Sequence, residues 1–141
     1  MDSRTTSGDA MRMLVVDDDD MMAELVVEHF RAAGYEVKSF GSGEQALAAM
    51  EEDLPDVVLC DRRMPGMSGA DLLETVRARD AAWQRVAFVF MTGLSDHRDR
   101  MSMLPLNPDG YLCKPIDFKA ARIDVVTAIE HAKARSTALQ A

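Results

Sequence analysis

Short apolar runs punctuate this chain at intervals: Met13-Leu14-Val15-Val16, Val57-Val58-Leu59-Cys60, Val86-Ala87-Phe88-Val89-Phe90-Met91 and Tyr111-Leu112-Cys113. Each is too short for a buried helix and reads as a strand covered on both faces. A further segment, Tyr35 to Phe40, alternates in polarity and ends at Gly41, which predicts a second strand in chain order. Between these runs the period changes. Met21, Met22, Leu25, Val26, His29, Phe30 and Ala33 recur at helical spacing as far as Gly34, a C-terminal stop. Asp19 or Asp20 can cap that helix, and acidic side chains suit its positive end. Ser42-Gly43-Glu44-Gln45 has the capping-box pattern and opens a helix through Ala46, Leu47 and Met50, before Pro55 ends the connection. Ser68 with Asp71 opens another, with Leu72, Leu73 and Val76 on its apolar face. The last helix is predicted from Ile116 to about Arg135, with Phe118, Ile123, Val126 and Ile129 near one face.

Strands alternating with helices imply a mainly parallel sheet with helices on both sides. The expected fold is α/β, a doubly wound five-stranded parallel sheet in flavodoxin-like order 2-1-3-4-5. In that arrangement ligands bind at the carboxyl ends of strands one and three. The domain is expected over residues 12–135, after a disordered tail at 1–11 and before a frayed end at 136–141.

Composition narrows the function classes. The chain has 141 residues, 48% hydrophobic and 28% charged, which fits one globular domain with a sizeable core. A net charge of -8 argues against nucleic acid as the main partner. No apolar run approaches the ~20 residues of a membrane span, and the polar start lacks a secretory signal, so a cytoplasmic location without a membrane partner is expected. Cys60 and Cys113 fall in strands separated by a third, beyond disulfide reach.

The chemistry gathers at predicted strand ends. Asp17 and Asp18 follow the first strand, Asp61 ends the third, and Thr92 and Lys114 end the fourth and fifth. Converging carboxylates repel one another and recruit a cation. Oxygen ligands with no Cys or His beside them suit Mg²⁺, which shares its remaining positions with water and phosphate oxygens. A hydroxyl and an ammonium on the same edge can take further phosphoryl oxygens, and a carboxylate can itself accept a phosphoryl group. None of the histidines has a metal-ligand pattern, and the methionines read as core filler.

Taken together, these pieces resemble a two-component response-regulator receiver domain. They are Leu14-Val15-Val16-Asp17-Asp18-Asp19, Asp61-Arg62-Arg63-Met64-Pro65-Gly66-Met67-Ser68-Gly69, Met91-Thr92-Gly93 and Gly110-Tyr111-Leu112-Cys113-Lys114-Pro115. They occur in the family's order and spacing. The resemblance implies that Asp61 is the phosphoacceptor. Asp18 would ligate Mg²⁺ directly, Asp17 largely through water, and the backbone carbonyl of Arg63 would be a further ligand. Thr92 and Lys114 would hold phosphoryl oxygens, and the Lys114-Pro115 bond would be cis. Thr92 and Tyr111 would act as the switch pair. The phosphodonor would be a histidine kinase or a histidine phosphotransfer protein, and the domain would at most catalyse its own phosphorylation and dephosphorylation. Arg63 and Leu94 would flank the phosphorus and slow hydrolysis. The segment Phe90-Met91-Thr92-Gly93 also resembles, in part, the signature of a single-domain receiver subfamily with a mobile fourth helix. In keeping with that, Pro105 and Asn107-Pro108 predict a short helix ending near Leu104.

Other readings stand beside this one. Asp17-Asp18-Asp19 contains Asp-x-Asp after a strand, resembling the haloacid-dehalogenase phosphatases, with Asp17 as nucleophile. Gly41-Ser42-Gly43-Glu44-Gln45-Ala46 fits a dinucleotide-binding turn, with Asp61 about 20 residues on as the ribose-binding acid. Within the receiver reading, the chain is either a stand-alone receiver that signals by binding a partner or a domain cut from a larger regulator or hybrid kinase.

Overall fold

A computed structural model of the chain describes residues 10–93, 101 and 104–140. The elements run β1 (Arg12–Val16), α1 (Asp20–Ala32), β2 (Glu36–Phe40), α2 (Gly43–Glu52), β3 (Val57–Asp61), α3 (Gly69–Arg77), a single turn α4 (Ala81–Gln84), β4 (Ala87–Thr92), a 3-10 turn (Leu104–Leu106), β5 (Gly110–Cys113) and α5 (Phe118–Gln140). The five strands form one parallel sheet in the order β2-β1-β3-β4-β5, as expected.

Strand alternation divides the interior into two clusters. Met13, Val15, Leu59, Val89 and Leu112 face α1 and α5, while Leu14, Val16, Val58, Phe88 and Phe90 face α2 and α3. Register then sets the site. Val16 pairs with Cys60, Asp61 with Met91, and Thr92 with Cys113. Asp17, Asp61, Thr92 and Lys114 therefore reach the same carboxyl edge. β3 and β5 are separated by β4, and both cysteines are free thiols.

Caps fix where the helices start. Asp19, not Asp20, caps α1, accepting from the Met21 and Met22 N–H groups. At α2 only half of the expected box forms. The Ser42 hydroxyl accepts from the Gln45 N–H, but the Gln45 side-chain oxygen turns back to the Gly41 N–H. Ser68 and Asp71 form the full reciprocal box at α3. Gly34, at φ +103°, ends α1 in the left-handed region that glycine tolerates.

Two helix faces differ from the periodicity reading. On α1 the buried residues are Ala23, Val26, Val27 and Phe30, while Met21 and Leu25 are exposed. On α5 Ala121, Val125, Ala128, Ile129 and Ala132 are buried, while Ile123 and Val126 are exposed. On α5 the three small alanines let the helix lie close to the sheet, with Ile123 and Val126 turned outward. α5 also continues through Gln140, where fraying was expected from Ser136; alanine and leucine in that turn favour helix. The one-turn α4, capped by Asp80, was not foreseen. The expected fourth helix falls mostly outside the described residues, as do Leu94 and the N-terminal tail at 1–9. Leu104–Leu106 forms a 3-10 turn that holds Pro105.

At the opposite edge a buried carboxylate ties the elements together. Asp109 accepts from the Phe88 N–H at 2.8 Å and from Arg77 Nη2 at 2.8 Å. It also pairs with Arg135, and lies 2.6 Å from His131 Nδ1.

Candidate functional site

Asp17 leaves β1 with its N–H donating to the Phe40 carbonyl, which orients the residue toward the sheet edge. Its Oδ1 accepts from the Asp19 N–H at 2.9 Å, and its Oδ2 from Lys114 Nζ at 3.0 Å. The side chain is fully buried. Asp61 ends β3 with its side chain 14% exposed, 3.6 Å from Lys114 Nζ through Oδ1. The same oxygen accepts from the Arg63 N–H at 3.4 Å. Asp18 is exposed beside them. Asp17, Asp18 and Asp61 each offer one oxygen within 4.8 Å of the others.

Lys114 reaches this cluster because β5 delivers it there. Its own N–H donates to the Thr92 carbonyl at 2.7 Å, and the Lys114-Pro115 bond is cis. Thr92 is buried at the end of β4. Asp61, Arg62, Arg63, Thr92 and Gly93 line a cavity of about 260 Å³. Tyr111 is half-buried one strand away, its ring stacked on Phe90 with centroids 6.2 Å apart. A second cavity, about 470 Å³ and lined by Arg12, Arg31, Lys38 and Asp53 among others, lies toward the amino edge and includes none of the clustered carboxylates.

The electrostatics follow from this packing. Burial raises the pKa of Asp61; Lys114 opposes that rise, and Asp17 and Asp18 add to it. Burial works against the Lys114 ammonium, but Asp17 and Asp61 outweigh it and lift its pKa above the ordinary value. Burial also pushes the neighbouring Cys60 thiol upward, so it stays protonated and unreactive. The donor set is hard oxygen on three acidic side chains, with one cation at its margin. Such a set fits a small divalent ion and phosphoryl oxygens better than a soft metal.

The structure thus brings Asp17, Asp18, Asp61 and Lys114 together, with Thr92 and Arg63 on the cavity wall and Tyr111 behind it. Gly69, which the sequence reading named only as the end of the matching stretch after Asp61 and gave no role, abuts the backbone of Asp61.

The family described as Response regulator receiver domain matches residues 13–134. The chain belongs to this family. Among curated relatives, the DNA-binding response regulator MtrA of Mycobacterium tuberculosis is 38% identical over 108 residues, covering 77% of this chain and 46% of MtrA. This receiver domain therefore spans about half the length of the curated relatives it matches. Among solved structures, a putative response regulator from Chloroflexus aurantiacus superposes with a TM-score of 0.81 at 30% identity, covering 86% of this chain and 98% of the other. The receiver domain of a signal transduction histidine kinase from Syntrophus aciditrophicus gives 0.78 at 24% identity, covering 86% and 91%, a likeness of fold alone. The receiver fold is that of a two-component signalling domain rather than a typical enzyme. No helix among the described residues is long and apolar enough to cross a membrane.

Proposed function

We propose that Asp61 is the phosphoacceptor of this receiver and that Asp17, Asp18, Asp61 and the Arg63 carbonyl hold Mg²⁺. The observation that carries the reading is the Lys114 ammonium set between Asp17 and Asp61. It supplies a positive group where a phosphoryl oxygen would arrive. In the transfer, an Asp61 carboxylate oxygen attacks phosphorus in line and the donor's P–N bond breaks. The leaving imidazole nitrogen keeps the electron pair and regains a proton. Bound Mg²⁺ would neutralise charge on the phosphoryl oxygens. Thr92 and Lys114 take the remaining oxygens, and the Thr92 movement is passed to Tyr111. Arg63, exposed at the cavity mouth, obstructs the water that would hydrolyse the product. A histidine kinase or histidine phosphotransfer protein is the donor, and the phosphorylated state changes the binding of a downstream protein.

The geometry weighs against the rival readings. Asp17 has both carboxylate oxygens engaged and no exposed surface, a poor nucleophile beside Asp61. The Met67 side chain fills the space above Gly43, where a dinucleotide turn would need open backbone.

The test is mass spectrometry after incubation with Mg²⁺ and acetyl phosphate. Phosphate is expected on Asp61. Asp61→Asn should remain folded, take no label and show a smaller Mg²⁺-induced rise in Tm, because one of three carboxylates is lost. Label on Asp17, or equal metal-induced shifts in both proteins, would overturn the assignment.

A further inference from the structure

The loop from Asp61 to α3 returns to its own origin. The Gly69 N–H donates to the Arg62 carbonyl at 2.9 Å, so the first residue of α3 sits against the end of β3. A Cβ on Gly69 would lie 2.5 Å from the Asp61 carbonyl oxygen, 2.9 Å from Arg62 Cα and 3.2 Å from Phe90 Cε1. The two nearest atoms are backbone and cannot swing aside. The same loop meets a second glycine differently. A Cβ on Gly43 would approach Met67 Sδ at 2.8 Å, Cγ at 2.9 Å and Cβ at 3.2 Å, all atoms of one flexible side chain and none of them backbone.

We infer that Gly69 is a positioning residue for phosphotransfer: its bare backbone lets α3 seat directly on the main chain of Asp61 and Arg62. This rests on Asp61 being the acceptor. An added methyl group at 69 has to displace either α3 or the acceptor's own peptide. α3 resists, because Leu72, Leu73 and Val76 are fully buried and Ser68 and Asp71 lock its first turn. β3 is held as firmly, paired with β1 and β4, so the strain is shared at the contact itself, and the Asp61 and Arg62 peptide that carries the carboxylate takes part of it. Gly43 serves packing alone. Its neighbour Met67 can rotate, so the methyl group is accommodated away from the acceptor. The glycine pattern at 41–43 thereby has a role unconnected with nucleotide.

The experiment compares phosphorylation by acetyl phosphate at saturating Mg²⁺, well below each Tm, in wild type, Gly43→Ala, Gly69→Ala and Gly69→Ala with Phe90→Leu. Gly43→Ala is expected within about twofold of wild type. Gly69→Ala is expected to lower the maximal rate roughly tenfold to a hundredfold, the scale of an ångström-sized misplacement. The donor concentration for half-maximal rate should stay unchanged. Trimming Phe90 should not restore the rate, since the backbone contacts remain. A purely structural role would lower Tm and leave the rate per folded molecule intact, which would overturn the inference. Rescue by Phe90→Leu would overturn it too, by placing the obstruction in side-chain packing. Should Gly69→Ala not fold, the wild type decides. Its Gly69 amide resonance should move on adding Mg²⁺ by more than that of Gly43, and equal or absent movement contradicts the assignment. A wild type labelled elsewhere than Asp61 overturns the acceptor reading and this one together, whereas a labelled wild type with a fast Gly69→Ala overturns this one alone.

Discussion

His29 holds its imidazole between the two helices on one face of the sheet. Its ring lies 4.6 Å from that of Phe118, and its Nε2 accepts from Arg122 Nε at 2.9 Å. That bond requires an unprotonated nitrogen. Burial, and then the Arg122 charge, hold the pKa below its ordinary value of 6.5, partly opposed by the Phe118 backbone. The sign follows from proton counting. As pH falls through 6.5, the unfolded chain binds the proton before the folded one, so stability falls. The contribution is fully present above that value and is lost as pH drops through the lower, folded pKa. Wild type should therefore lose more Tm between pH 7.5 and 5.5 than His29→Gln. Parallel loss in both proteins would show that His29 does not contribute. His29 was read simply as part of an apolar face, since its partners lie on α5, 89 and 93 positions away.

Among the elements, β5 is anchored at both ends by charge, Lys114 at the carboxyl edge and Asp109 at the amino edge. Asp109 has no exposed side-chain surface, and its partners Arg77 and Arg135 are 15% and 11% exposed. Removing the carboxylate leaves two guanidinium groups in the interior without their counter-charge. Asp109→Ala should cost about 3–5 kcal/mol, the range for breaking a buried pair from one side. Urea unfolding would measure it, and a loss below about 1 kcal/mol, typical of an exposed pair, would show that water reaches the cluster. Nothing local announced this role. Asn107-Pro108-Asp109-Gly110 reads as a turn, and its partners come from α3 and α5. By contrast, strands such as Val57 to Cys60 were legible because burial on both faces demands an unbroken apolar run. The strand-end carboxylates were legible only jointly: a lone Asp after a strand is an ordinary turn residue, but Asp17, Asp18, Asp61, Thr92 and Lys114 all fall at one predicted sheet edge. The helix faces were misread where alanine, which carries little hydrophobic signal, made the contact. Ala121, Ala128 and Ala132 are almost fully buried while Ile123 is 67% exposed.

For the molecule as a whole, the proposed transfer from a phosphohistidine protein, unlike that from acetyl phosphate, requires a second protein to dock over the carboxyl edge. The first turns of α1 flank that edge, and Met21 there is 79% exposed and Leu25 54%. Apolar surface so placed suits a donor presenting an apolar patch beside its phosphohistidine. Leu25→Glu should slow transfer from a phosphorylated histidine protein several-fold and leave the acetyl phosphate rate unchanged. Equal slowing of both rates would instead indicate damage to the site itself. The exposed Ile123 and Val126 on α5 extend the apolar surface of this half of the molecule. The division of the interior has a different consequence. Among the described residues the two clusters lie on opposite sides of the sheet, Val15 and Leu59 looking one way, Leu14 and Val58 the other. Substitutions on opposite faces, Val27 against α1's side and Val76 against α3's, share no partner and should combine additively, unlike a pair on one face. The sheet acts as a partition wall. One chamber can be redesigned, or can drift in evolution, while the other keeps its packing, and only the strands' common edge must answer to both.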